Sequence, residues 1–176
     1  VSILLFIITT YFLSERSITK YYALNSGIDL AIFENVFYNT LQGNFLFTSL
    51  GPFDAPHSYL ADHLNLTMLL FLPAYYFYPD PKTLLIQQSV ILFSPLLIFP
   101  ILFKTKYYFS KLSFLLLYAL YLPLYWIGIF DFHPEVLFIP FFFLFYYFYS
   151  NENLIGTIIF LLLCLLTKEE ISFVFI

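Results

Sequence analysis

An all-α, polytopic membrane protein is the fold class this chain predicts, and two observations predict it. Of 176 residues, 61% are hydrophobic and only 10% charged, with a mean hydropathy of +0.87. Soluble domains average about 45–50% apolar and about 25% charged residues, and a soluble chain of this size has no core able to hide so much apolar surface. The apolar residues also fall in long runs separated by short polar motifs, the pattern of membrane-spanning helices. Intrinsic disorder is excluded by the same composition. Seven Lys+Arg against eleven Asp+Glu give a net charge of −4 with no basic stripe, which argues against a nucleic-acid partner. The bilayer is the partner expected, and a multi-pass position in a prokaryotic cytoplasmic membrane the expected location.

Residues 1–13 form an apolar run too short to cross alone at about 20 residues per crossing, so a partial first span is expected. The chain opens inside this run and stops inside another, at 171–176. It is therefore read as one membrane domain of a longer protein, and no cationic leader marks a signal peptide. Residues 14–82 read as a long first external loop. Within it, 28–43 predicts a helix at the membrane surface, with Leu30, Ile32, Phe33, Val36, Phe37 and Leu41 on one arc, Asn35, Asn39 and Gln42 opposite, and Gly43 as the stop. Residues 64–78 reach about 22 Å as a helix, short of a hydrocarbon core near 30 Å, and read as tilted or half-inserted.

Residues 83–103 and 112–130 are long enough to cross, and Lys104, Lys106 and Lys111 between them read as cytoplasmic by the positive-inside rule. Residues 136–149 and 154–167 predict a hairpin around Asn151-Glu152-Asn153, with prolines in the spans tolerated where neighbours re-satisfy the backbone. If 64–78 does not cross, ten of eleven acidic residues and four of seven basic ones lie outside. The sole cysteine, Cys164, leaves no intrachain disulfide and reads as a small buried hydrophobe.

Three polar features need more than a solvated surface to explain them. Asp29 falls in the middle of the apolar arc of its helix, where a carboxylate wants a partner, although a first-turn acid also answers the helix dipole. Asp131, His133 and Glu135 alternate in Phe130-Asp131-Phe132-His133-Pro134-Glu135, and in extended chain their side chains share one side. Capping accounts for Asp131 and Glu135 equally well. As a divalent-metal signal the string is weak, because one His and two carboxylates need further ligands. Lys168 and Glu169, in Thr167-Lys168-Glu169-Glu170, interrupt two apolar runs and must lie at the interface or pair. His57, Asp62 and His63 precede the half-inserted segment and suit either a polar headgroup or solvent. Asn65-Leu66-Thr67 fits a glycosylation acceptor but opens an apolar segment.

Taken in order, Gly27-x-Asp29-Leu-Ala-Ile-Phe33, His63 heading a Leu-rich segment, Pro79-Asp-Pro81-Lys-Thr-Leu-Leu-Ile-Gln87, Phe130–Glu135 and Thr167–Glu170 resemble the DUF2079 family of predicted membrane proteins. One departure is Leu64-Asn65-Leu66 after His63, where the family continues with Phe-Ser-Pro. That family is similar to the GT-C membrane glycosyltransferases, which draw sugars from polyprenyl-phosphate donors. The resemblance implies a GT-C-like module in which Asp29 is the general base. His63, His133 and Lys168 would face the donor phosphate, Glu135 and Glu169 would orient those cations, and Asp131 would complete the substrate site. It implies no cofactor and leaves the acceptor open. A transporter or lipid carrier, and a non-enzymatic scaffold, are the competing readings; polar groups confined to one end of 83–103 argue against a through-path.

Overall fold

The structure, a computed structural model, describes residues 1–50, 55–103 and 107–175. Lys104 and Lys106 lie outside the described residues. The chain is all-α: α1 (Ser2–Tyr22), α2 (Ile28–Leu41), α3 (Leu72–Phe77), α4 (Pro81–Phe93), α5 (Pro95–Leu102), α6 (Tyr108–Ala119), α7 (Leu122–Phe130), α8 (Phe138–Ser150) and α9 (Leu154–Leu165). Two short strands, β1 (Phe47–Thr48) and β2 (His57–Ser58), pair antiparallel with Phe47 opposite Ser58. Tight 3₁₀ turns cover Tyr59–Ala61, Thr67–Phe71, Pro134–Leu137 and Glu169–Phe175.

α1 does not stop at Leu13. It continues through Ser14, Glu15 and Arg16 for 21 residues, because no Gly or Pro interrupts it before Gly27. Its last turns are held by distant backbone: the Ser17 hydroxyl donates to the Gly128 carbonyl at 2.9 Å, and Lys20 Nζ donates to the carbonyls of Ile129 (2.8 Å) and Phe130. A lysine there answers the negative end of α7. Gly128 permits the approach, since a Cβ would meet Leu13 Cδ2 at 2.5 Å.

Two stretches, Pro81–Leu102 and Tyr108–Phe130, are long and apolar enough to cross a membrane. Each is broken at a proline, and each break is repaired. Pro95 cannot donate to the Ile91 carbonyl, which instead accepts the Ser94 hydroxyl at 2.7 Å. Pro123 likewise orphans the Ala119 carbonyl, which accepts Tyr125 Oη at 2.6 Å. α8 and α9 form a tight hairpin, with Asn153 capping α9 through the Gly156 N–H (2.9 Å) and Gly156 packed on the Phe148 ring.

α2 ends at Leu41, with Gly43 at φ +93° just beyond it, and buries Leu30, Phe33, Val36 and Phe37. Asn35 and Asn39 are not on a solvated face. Asn35 Oδ1 accepts from Asn39 Nδ2 (3.1 Å) and from the Ser49 N–H (2.9 Å), so the polar side of α2 holds the strand pair. Residues 64–78 form no single helix: an irregular start leads into the 3₁₀ turn and then α3. Asn65 is fully buried there, its Oδ1 accepting from Thr67 Oγ1 and the Met68 N–H (both 3.1 Å). Phe132, wholly buried, contacts the rings of Phe33, Phe37 and Phe71 at 5.3, 6.4 and 5.1 Å and fastens α2 and the 67–71 turn to the long helices.

Candidate functional site

Four stretches distant in sequence, 27–33, 59–66, 131–135 and 166–169, meet at one end of the helices. α2 begins at Gly27, and its first-turn Asp29 N–H donates to Asp131 Oδ2 at 3.1 Å, while Asp131 Oδ1 accepts the Phe132 N–H at 2.9 Å. Asp131 therefore caps α2 from across the fold, buried with both oxygens engaged. Gln88, fully buried in α4, fixes the same turn at both amide atoms. Its Nε2 donates to the Asp131 carbonyl (2.8 Å), and its Oε1 accepts the His133 N–H (2.6 Å). On the opposite side the Leu66 N–H donates to the Leu166 carbonyl at 3.1 Å, seating the segment after His63 on the end of α9.

These contacts enclose a cavity of about 350 Å³ lined by Asp29, Tyr59, Asp62, His63, His133, Glu135 and Lys168, with Ile32 and Phe33 as its apolar wall. Asp29, His63, His133, Glu135 and Lys168 are thus brought together. Asp131 and Glu169 are not among the lining side chains: Asp131 stands behind Asp29, and Glu169 stands behind His63. Glu169 Oε1 bonds His63 Nδ1 at 2.8 Å, and its Oε2 accepts the Leu64 N–H at 3.1 Å. His133 stands between two carboxylates, Nε2 at 3.8 Å from Asp29 Oδ2 and Nδ1 at 3.9 Å from Glu135 Oε2. Both separations exceed hydrogen-bond length and leave these groups open to a ligand.

The site gathers carboxylates around Lys168 and two histidine rings, His63 and His133. Glu135 Oε2 and Asp62 Oδ1 are buried oxygens without a hydrogen-bond donor. Such acceptors are costly unless a donor arrives. The Tyr59 hydroxyl is pushed well above the ordinary tyrosine range, by burial first and then by Glu135, Asp62, Glu169 and Asp29. Glu169 is held below the ordinary carboxylate value, chiefly by its hydrogen bond to His63. His57 is raised, chiefly by its 3.0 Å bond to Asp62. Lys168 pairs at 3.5 Å with the exposed Glu170. Among the described residues, no three His, Cys, Asp or Glu side chains are arranged to hold a metal ion.

Tyr59 and Gln88 were not singled out from sequence. An amide near one end of an apolar span was the one available signal for Gln88; nothing distinguished Tyr59 from the chain's fifteen other tyrosines.

Beside the cavity lies an apolar groove of about 390 Å³, formed by Ile127, Val136, Ile139 and Ile171. His133, Glu135 and Lys168 line both.

No curated protein and no solved structure matches the chain. One family model does, described as predicted membrane protein (DUF2079), and it matches residues 20–176. That span contains every side chain of the cavity and both stretches long enough to cross a membrane. The chain belongs to the DUF2079 family of predicted membrane proteins.

Proposed function

We propose that this chain is the catalytic membrane module of a multi-pass, GT-C-like glycosyltransferase that takes a sugar from a polyprenyl-phosphate donor on the external face. The observation that carries this reading is the sharing of His133, Glu135 and Lys168 between a polar cavity and an apolar groove. A lipid-linked sugar has that same division. Its prenyl chain suits the isoleucine-rich groove, its phosphate suits Lys168 and His133 at the junction, and its hydroxyls supply donors to Glu135 and Asp62.

Transfer then needs one base and one stabilised leaving group. The acceptor hydroxyl oxygen attacks the anomeric carbon, its proton passes to the Asp29 carboxylate, and the sugar–phosphate C–O bond breaks with the electron pair leaving on the lipid phosphate. Lys168 and His133 stabilise that charge. Glu135 orients His133, Glu169 orients His63, and Asp131 fixes the helix start that carries Asp29. The positive-inside rule supports the external position: Lys111 stands near the start of the Tyr108–Phe130 stretch, at the other end from the 131–135 turn.

The test is transfer of labelled sugar from a polyprenyl-phosphate donor in vesicles. Asp29→Asn is expected to reduce transfer by about 100-fold or more while the protein still inserts. Transfer at the unaltered rate removes Asp29 as base, and donor uptake without a covalent product favours a lipid carrier instead.

A further inference from the structure

A second apolar groove, of about 750 Å³, reaches the site from the other side of α7. It runs between the end of α1 and α7, lined by Lys20, Asn25, Trp126, Ile129 and Phe130, with Ile127 and His133 common to both grooves. The His133 ring stacks on Phe130 at 5.8 Å and forms the shared wall. Both grooves are apolar along their length, and each has one lysine at its polar end, Lys168 in one and Lys20 in the other.

Lys20 sets the chemistry of the second groove. Two of its ammonium protons go to the carbonyls of Ile129 and Phe130, and the third is left for a ligand. The apolar walls offer nothing to a free sugar. An amphiphile with an anionic headgroup satisfies the ammonium, the Asn25 amide and the walls together.

We infer that the acceptor is itself a membrane lipid with an anionic headgroup, lying along the α1–α7 groove with its headgroup at Lys20 and His133. The inference rests on the glycosyltransferase reading and supplies its missing substrate class. Donor and acceptor then approach His133 from opposite sides of α7, and both reacting groups reach the cavity without leaving the bilayer.

Trp126, the chain's one tryptophan, lines the groove and reports on it. The purified full-length protein would be reconstituted in phosphatidylcholine vesicles containing a small fraction of brominated phosphatidylglycerol, whose anionic headgroup carries free hydroxyls, or, in parallel, brominated phosphatidylcholine. The signal is the fluorescence lost in Trp126→Phe. Quenching by the anionic lipid is expected to reflect about fivefold enrichment over its zwitterionic counterpart. Lys20→Gln should abolish the preference, while Lys20→Arg and Lys168→Gln should keep it. Equal quenching by both lipids overturns the inference, because the groove then holds bulk lipid only. With labelled donor, product is expected in the organic extract. Label in a water-soluble product alone overturns the lipid acceptor and leaves the glycosyltransferase reading standing. A protein that keeps the lipid preference yet transfers no label overturns that reading, and the acceptor role with it, leaving only a lipid-binding groove.

Discussion

A methyl group on Gly27 would collide with the Asp131 carboxylate that caps α2. Gly27→Ala is therefore expected to cost about 1–3 kcal/mol and to move the helix start that carries Asp29. A lowered unfolding midpoint in detergent checks the first effect, and reduced sugar transfer at full expression checks the second. Glu169 and His57 make opposite contributions to pH dependence. The Glu169 carboxyl is lowered from its ordinary 4.5, mainly by His63, so its stabilisation is complete above 4.5 and disappears as pH falls through the depressed value. His57 is raised from 6.5, mainly by Asp62, so its stabilisation is complete below 6.5 and disappears as pH rises through the raised value. Glu169→Gln should flatten the acid limb of a midpoint-against-pH curve and Asp62→Asn the alkaline limb. Unchanged limbs in both variants would mean that neither pair contributes to stability.

At the level of elements, one amide joins α4 to the 131–133 turn. Gln88→Leu leaves the buried Asp131 carbonyl without a partner, at about 1–3 kcal/mol, and frees the half-buried His133 N–H, whereas the Gly128 carbonyl, which Gln88 Nε2 also reaches at 3.3 Å, keeps Ser17. The expected result is a fall in unfolding midpoint larger than that of Ser89→Ala, whose hydroxyl bonds only within its own helix. Much of the elements was legible beforehand, because apolar periodicity is local: the buried face of α2 follows from the spacing of Leu30, Phe33, Val36 and Phe37. Polar residues inside elements were harder to read. Glu15 and Arg16 resemble a helix end in sequence, yet α1 runs past them to a lysine seated on another helix's carbonyls. Asn35 resembles a solvated residue, yet it organises a strand that sequence spacing gave no means of seeing. The motifs that became the cavity wall were visible as anomalies. Their convergence was not, since hydrogen bonds such as Asp29 to Asp131 link residues over 100 positions apart, where no local pattern reaches.

Across the whole molecule, the contacts of the site constrain how the chain can sit in a bilayer. His63 against Glu169 and Asp29 beside His133 keep the start of α2, the 131–135 turn and the 168–170 turn at one end. Thr67–Phe77, as 3₁₀ turn plus α3, rises only about 19 Å, too little to carry the chain across a core near 30 Å. α9, with 12 residues, rises about 18 Å, less than the thickness of a hydrocarbon core near 30 Å. Single cysteines at the exposed positions Asn25, Ser110, Asn151 and Ser172, in a Cys164→Ser background, should therefore divide into two pairs. Positions 25 and 172 are expected to react with an impermeant reagent in sealed cells, and 110 and 151 only after permeabilisation. Labelling of 25 and 172 from opposite faces would separate Asp29 from Lys168, and the shared cavity could not then exist in the membrane. The pairing of 25 with 172 is thus the condition on which Asp29, His133 and Lys168 can act on one lipid-linked substrate.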